Sequence, residues 1–283
     1  MAINLELPRK LHAVIDKAHQ GGAEMMRPIA RKYDLKEHAY PVELDTLAEL
    51  FAGAAESNTD MAGADGLRSS ESNGENRNGA NMAAALQALE ASWGDAAMLL
   101  SIPYQGLGNA AVSAVATDEQ LERLGRVWAA MAITEPGFGS DSAAVSTTAK
   151  LDGDEYVING EKIFVTAGSR ATHIVVWATL DKSMGRAAIK SFIVPREHPG
   201  VTVERLENKL GIKGSDTAVI RFETARIPKD NLLGNPEIEP GKGFSGVMET
   251  FDNTRPALAL DIDASLELGM LLSACHAARR VSW

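Results

Sequence analysis

The sequence has few of the residues that would indicate a secreted, metal-binding or membrane protein. Its 283 residues include one cysteine, Cys275, which excludes an intramolecular disulfide and any metal site built from several cysteines. No segment approaches the roughly 20 consecutive apolar residues of a transmembrane helix, and the first residues contain no apolar run long enough for a signal peptide. We therefore expect a cytoplasmic protein with no metal site and no membrane span.

The sequence also lacks an excess of positive charge. Its 28 Lys and Arg residues are outnumbered by 38 Asp and Glu residues, which gives a formal net charge of −10. Because binding to a phosphate backbone needs a basic face, we expect no nucleic-acid partner. The hydrophobic content of 45% and the length are sufficient for two or three packed units.

The first 130 residues are predicted to form an N-terminal helical domain. Apolar residues at three- and four-residue spacing predict an amphipathic helix over residues 7–32, which Pro28 should kink or split. Thr117 followed by Gln120 predicts a capping box at the start of a later helix. Residues 57–80 are rich in Ser, Asn, Gly, Asp and Glu, which predicts a solvent loop, with a flexible lid as the alternative.

The pattern becomes strand-like after Ile133. The stretch DEYVINGEKIFVTAGS, residues 154–169, predicts two strands joined by a hairpin turn at Asn159-Gly160. Further strands are predicted at residues 173–179, 191–194, 201–205 and 217–222. Because no helix long enough for a crossover lies between them, we expect an antiparallel sheet, closed as a barrel or stacked as a sandwich.

The fold class predicted from this order is α+β multidomain. The N-terminal helical domain should cover residues 1–130 and the central antiparallel β-barrel or sandwich domain residues 131–240. A helical pattern returns at Gly243, so residues 241–283 should be a partial C-terminal helical-bundle domain. This order differs from the alternating strands and helices of a doubly wound nucleotide-binding fold.

The stretch ITEPGFGSD, residues 133–141, raises the question of a phosphate-binding loop. A dinucleotide fingerprint needs a third glycine three places after the second, at the start of a helix. Ser142 occupies that place, and predicted strands follow it. The fingerprint is therefore excluded, and the simplest alternative is a Pro-Gly turn that connects two domains.

Four segments, in this order and spacing, resemble motifs of the acyl-CoA dehydrogenase family. They are MAITEPGFGSD at 131–141, DEYVINGEKIFVTAGSRA at 154–171, GIKGSDTAVIRFETARIPKDNLLG at 211–234 and GKGFSGVMETFDNTRP at 241–256. The resemblance implies a helical domain, a β-domain and a C-terminal four-helix domain with FAD between the last two. It also implies FAD-dependent α,β-dehydrogenation of an acyl-CoA thioester in fatty-acid β-oxidation or related lipid metabolism. The implied partners are electron-transfer flavoprotein and further subunits, in a homotetramer or heterotetramer.

The same resemblance implies site residues. FAD is expected to contact Met131, Ile133, Thr134, Gly139 and Ser140 in the turn, and Phe164, Val165 and Thr166 on the following strand. Acyl-CoA is expected to contact Ser140, Asp252 and Arg255. A solvated salt bridge is the alternative explanation of the Asp252 and Arg255 pair. Glu135 is predicted to be structural or solvent-facing rather than catalytic, and Arg186 to be a surface arginine rather than a ligand of a CoA phosphate.

The sequence does not contain the catalytic base that the resemblance implies. In the family this glutamate lies in a late C-terminal loop, or on the first C-terminal helix at the place that Thr254 holds here. The catalytic residue therefore stays unassigned, and we expect family segments to be missing between Pro256 and Asp261 and beyond Trp283. Two alternative functions remain at this point, a non-catalytic subunit that binds FAD or acyl-CoA, and a related flavin oxidase.

Overall fold

The computed structural model describes residues 9–56, 80–238, 244–248 and 250–251. The helices are α1 (His12–Gly21), α2 (Arg27–Leu35), α3 (Glu43–Glu56), α4 (Ala80–Gly94), α5 (Ala96–Leu99), α6 (Leu107–Val115) and α7 (Asp118–Leu124). Residues 245–248 are also helical. Ala80 apart, the predicted solvent loop lies outside the described residues, as does most of the predicted C-terminal domain.

The predicted interruption at Pro28 is present. A π-helical turn, Gly22–Met26, joins α1 to α2, and Pro28 lies in the first turn of α2. Proline has no N–H group to continue the α-helical ladder, so the hydrogen-bonding pattern changes just before it. These helices pack with α3 and α5 around buried side chains that include Met26, Tyr33, Leu44 and Met98.

The predicted capping box is confirmed at the start of α7. The Thr117 hydroxyl accepts from the Gln120 N–H, and the Gln120 side chain accepts from the Thr117 N–H. The same Gln120 side chain donates to the Leu232 carbonyl and accepts from the Gly234 N–H. The cap therefore also fastens α7 to the end of the sheet.

The strands form one eight-stranded sheet. They are β1 (Ala129–Ala132), β2 (Thr148–Asp152), β3 (Glu155–Thr166), β4 (His173–Thr179), β5 (Ile189–Pro195), β6 (Val201–Leu206), β7 (Thr217–Pro228) and β8 (Leu232–Leu233). The order across the sheet is β6-β7-β3-β2-β4-β5-β8, with β1 beside β4. The segments predicted as strands from 173 onward all lie in strands.

The prediction of an antiparallel barrel or sandwich is wrong. β1 runs parallel to β4, from the pair Ala129–His173 to the pair Ala132–Val176, and β2 also meets β4 in parallel. A parallel pair needs a long crossover, and here the chain between β1 and β4, which includes the β2–β3 hairpin, provides it without a long helix. Among the described residues, β6 and β8 end the sheet without pairing with each other, so the mixed sheet is open.

The predicted hairpin turn at Asn159-Gly160 is also wrong. The chain turns earlier, between β2 and β3, where Gly153 has a φ of 64°. Gly160 lies inside β3 at a shift of register with β7, and a Cβ at this position would overlap the Thr147 side chain. The Asn159 side chain accepts from the Thr224 N–H of β7. At this shift β7 has two residues opposite the single Asn159 of β3, and Thr224 has a φ of 49°. The Asn-Gly pair therefore lies opposite a β-bulge of β7.

Apolar side chains cover both faces of the sheet. One face packs Ile158, Ile174, Phe192 and Phe222 together. The opposite face places Val175 and Trp177 with residues of β1 and α6 in a second buried cluster. Among the described residues, each helix is too short or too polar to span a membrane.

Candidate functional site

The stretch ITEPGFGSD leaves the end of β1 and reverses direction in a tight turn. Glu135 and Phe138 exchange two backbone hydrogen bonds, of 3.2 and 3.1 Å, which places Pro136 and Gly137 at the centre of a β-turn. A Cβ at Gly137 or Gly139 would meet nothing within 4 Å. Packing within the described chain therefore does not require these glycines, and the surface above them is open.

Phe164 is turned outward by a bulge in β3. Alternate residues Tyr156, Ile158 and Lys162 are buried, and Phe164 would continue this inward series. The register with β7 shifts between Lys162 and Val165, and Phe164 has a φ of 58°, which is uncommon for a bulky side chain. As a result its ring is 61% exposed. Strained backbone of this kind clusters at functional sites.

The turn and the bulge are neighbours. The Ile163 N–H donates to the Thr134 carbonyl at 2.9 Å, and the Lys162 ammonium donates to the Ile133 carbonyl at 3.0 Å. Thr134 and Thr166 are both half-buried. The structure thus brings together the two segments that the sequence indicated separately.

Some of the predicted site residues are exposed, and others have buried side chains. Gly139 and Ser140 are exposed. Met131, Ile133 and Val165 have buried side chains that belong to the apolar clusters of the sheet. Contacts with a ligand at these three positions would therefore involve the backbone. Asp252 and Arg255 lie outside the described residues.

Glu135 is buried beneath the turn, so the expectation of a structural role holds while a solvent-facing position does not. Its side chain is 2% exposed and accepts from the Lys162 ammonium at 2.8 Å. It also accepts from the N–H and hydroxyl groups of Ser146 and Thr147. These five hydrogen bonds hold the carboxylate away from the open surface.

Lys162 was missed by the reasoning from sequence. Its side chain is 0% exposed, although lysine is almost never fully buried without a partner. The signal was present in the alternation of β3, because Lys162 has the same parity as the inward residues Tyr156 and Ile158. A lysine at an inward strand position requires an acceptor nearby.

Opposing effects set the protonation of this pair. Burial alone would raise the pKa of Glu135, but the Lys162 charge and the hydrogen bonds from Lys162, Ser146 and Thr147 outweigh it and lower the pKa to about 2. Burial lowers the pKa of Lys162 to about 8, against the opposite effect of Glu135. Both groups are therefore charged at neutral pH.

A cavity of about 300 Å³ borders the turn at Phe138 and the residues that follow it. It is lined by Phe138, Ala143, Ala144, Val145, Ser146, Thr179, Lys182, Gly185 and Ile189. The Thr179 hydroxyl is buried and has no hydrogen-bond partner among the residues that the structure describes, which is costly unless a bound molecule or water supplies one. The cavity and the exposed Phe164 ring are therefore two candidate binding surfaces.

Known proteins resemble the sheet region in sequence. Residues 130–225 match the family model of the acyl-CoA dehydrogenase middle domain. The human mitochondrial short-chain specific acyl-CoA dehydrogenase is 46% identical over 128 residues, which are 45% of this chain and 30% of the human protein. A probable acyl-CoA dehydrogenase of Mycobacterium tuberculosis is 42% identical over 130 residues, 46% of this chain and 32% of that protein. The chain thus matches about a third of the length of these relatives.

Solved structures resemble a larger part of the chain. Butyryl-CoA dehydrogenase from Megasphaera elsdenii aligns with a TM-score of 0.76 and 26% identity, over 94% of this chain and 68% of that one. A chain from the structure of the electron transferring flavoprotein of Acidaminococcus fermentans also aligns with a TM-score of 0.76, at 28% identity, over 94% of this chain and 67% of that one. The likeness in fold therefore includes helices as well as the sheet.

Proposed function

We propose that the protein is a FAD-dependent acyl-CoA dehydrogenase. The premise of this proposal is that the chain belongs to the acyl-CoA dehydrogenase family through its middle domain at residues 130–225. The reaction would be α,β-dehydrogenation of an acyl-CoA thioester, with electrons passed to electron-transfer flavoprotein. The observation that carries this proposal is the hydrogen-bonded contact between the turn after β1 and the bulge of β3, which presents Thr134 beside the exposed Phe164.

The described residues fit a flat cofactor ring. Phe164 offers an exposed aromatic face, and such rings pack well on planar groups. The open surface over Gly137 and Gly139 lets a ligand approach the backbone closely. Thr134 and Thr166 would supply hydroxyl groups at the same edge. When bound, FAD supplies the acceptor for the hydride that leaves the acyl chain.

The other residues would hold the substrate. Ser140 is exposed, and in sequence it lies between Phe138 and Ala143, which both line the cavity. We therefore place acyl-CoA on this side, with Asp252 and Arg255 as further contacts. Glu135 is excluded as the base because burial and five hydrogen bonds hold it inward. We assign the base to no residue of the described chain.

Assembly and location are part of the same proposal. We propose a homotetramer or a heterotetramer in the cytoplasm, with domains at residues 1–130, 131–240 and 241–283. The alignment with a chain from the structure of the electron transferring flavoprotein of Acidaminococcus fermentans supports that partner. The low cysteine content supports a reducing compartment.

Anaerobic titration of the full-length protein with acyl-CoA thioesters tests the function. We expect purified protein to carry FAD whose visible absorbance bleaches on addition of substrate and returns with electron-transfer flavoprotein. The series should begin with butyryl-CoA, since the relatives named above act on short-chain or butyryl-CoA substrates. FAD that no acyl-CoA bleaches would contradict the proposal and favour a non-catalytic subunit. Peroxide formed without an added acceptor would favour an oxidase.

A further inference from the structure

The buried pair of Glu135 and Lys162 has no part in the proposed chemistry. Their side chains are 2% and 0% exposed. Removing two charges from water costs free energy that their mutual attraction does not reliably return, so such a pair is weak evidence for stability. A reason for its presence should therefore be sought in what it holds in place.

The pair joins three segments of the chain. Lys162, on β3, donates to the Ile133 carbonyl at the start of the turn and to Glu135 within it. Glu135 in turn accepts from the backbone N–H groups of Ser146 and Thr147, which lie just before β2. These contacts fix the turn against β3 on one side and against the chain returning from the turn on the other.

The chemistry of the contacts requires a carboxylate. Every group that faces Glu135 is a donor: two backbone N–H groups, two hydroxyls and the ammonium. A carboxylate accepts at both oxygens, whereas an amide of the same shape would direct an NH₂ group at one of these sets of donors. Lys162 can reach both acceptors because an ammonium carries three donor hydrogens.

We propose that Glu135 and Lys162 are positioning residues that set the placement of Thr134 relative to the segment Phe164–Thr166, and thereby the affinity and environment of the bound flavin. This inference rests on the proposed function. Neither side chain touches the cofactor, because both lie beneath the surface that would receive it. Their effect acts through the Ile133 carbonyl and through the backbone of the turn.

The test compares the full-length protein with Glu135→Gln, Lys162→Met and the double variant. Glu43→Gln is the matched control, because Glu43 also binds a lysine, Lys32, at 2.7 Å but does so between α2 and α3. The first measurement is hydrogen exchange of the Ser146, Thr147 and Ile163 amides in the FAD-free protein. The second is the dissociation constant of FAD together with the visible spectrum of the bound flavin.

Each single variant should speed exchange at these amides by about tenfold or more and weaken FAD binding by up to about 100-fold, with an altered spectrum. The double variant removes both charges, so it should recover stability while FAD affinity stays low. Glu43→Gln should change neither measurement at the site. Lys162→Met keeps four of the five donors of Glu135, which makes it the variant to use where Glu135→Gln does not fold.

Two results would overturn the inference. Faster exchange with unchanged FAD affinity and spectrum would show that the pair is structural only. Unchanged exchange in both single variants would show that it does not hold the turn. A wild-type protein that binds no FAD would contradict the proposed function instead, while the exchange data would still decide whether the pair fixes the turn to β3.

Discussion

At the scale of the residue, Phe164 and Leu151 have nearly the same exposure for different reasons. Their exposed fractions are 61% and 60%. Leu151 lies near the end of the short strand β2, where residues 150–152 are all exposed. Phe164 faces outward only because the bulge interrupts the alternation of β3. An apolar side chain that is exposed because of a strained backbone, as at Phe164, indicates a binding site more strongly than the exposure of Leu151 does.

Replacement of Phe164 by alanine should therefore separate binding from stability. Because the ring is mostly exposed, the free energy of unfolding of the FAD-free protein should change by about 0.5 kcal/mol or less. FAD affinity should fall about tenfold, since stacking on an aromatic side chain contributes about 1–3 kcal/mol. Denaturant titration and flavin fluorescence measure the two quantities. Leu151→Ala is the control and should alter neither; equal FAD affinity in both variants would argue against contact with Phe164.

At the scale of the element, α6 lies against β1 at a distance that only glycine permits. A Cβ at Gly108 would overlap the Ala129 carbonyl. Beside it, the Asn109 side chain donates to the Val127 carbonyl and accepts from the Ala129 N–H. The sequence predicted helices before the sheet, but these contacts join residues that are about 20 positions apart. The local sequence pattern therefore gives no information about the close packing of α6 against β1.

Gly108→Ala should destabilise the protein by about 1–3 kcal/mol, because α6 must move away from β1 to make room for the methyl group. Gly137→Ala is the matched control, since a Cβ there meets nothing within 4 Å, and its effect on unfolding should be about 1 kcal/mol or less. Thermal and urea unfolding of both variants provide the measurement. Similar losses at the two positions would show that the contact between α6 and β1 is looser than described.

At the scale of the whole molecule, Arg170 joins the helical region to the sheet. Its guanidinium donates to the Ala39 carbonyl, between α2 and α3, and to the Gly214 carbonyl, between β6 and β7. It also pairs with Asp216 at 3.3 Å, and both side chains are buried. Burial lowers the pKa of Arg170, and the Asp216 charge opposes this effect. The Arg170 guanidinium thus joins three parts of the chain that are distant in sequence.

Arg170→Met should reduce the free energy of unfolding by about 3–5 kcal/mol, because it leaves the Asp216 carboxylate buried without its cation. The control is Arg226→Met, which removes an arginine paired with Asp152 and Glu155 at the surface. The loss from Arg226→Met should be about 1 kcal/mol or less. Urea unfolding followed by tryptophan fluorescence measures both. Comparable losses would mean that Arg170 does not join the two regions.

The amino-acid sequence was sufficient to predict helices followed by a sheet and the capping box at Thr117, and it indicated two segments as a flavin site. These features depend on side-chain periodicity and short motifs, which act over a few neighbouring residues. It could not determine the parallel pairing of β1 with β4 or the register shifts beside Gly160 and Phe164, since strand neighbours and register are settled by contacts between distant residues. Only the tertiary structure placed Lys162 beneath the turn, because burying an ammonium is favourable only where Glu135 and the Ile133 carbonyl come within hydrogen-bonding distance of it.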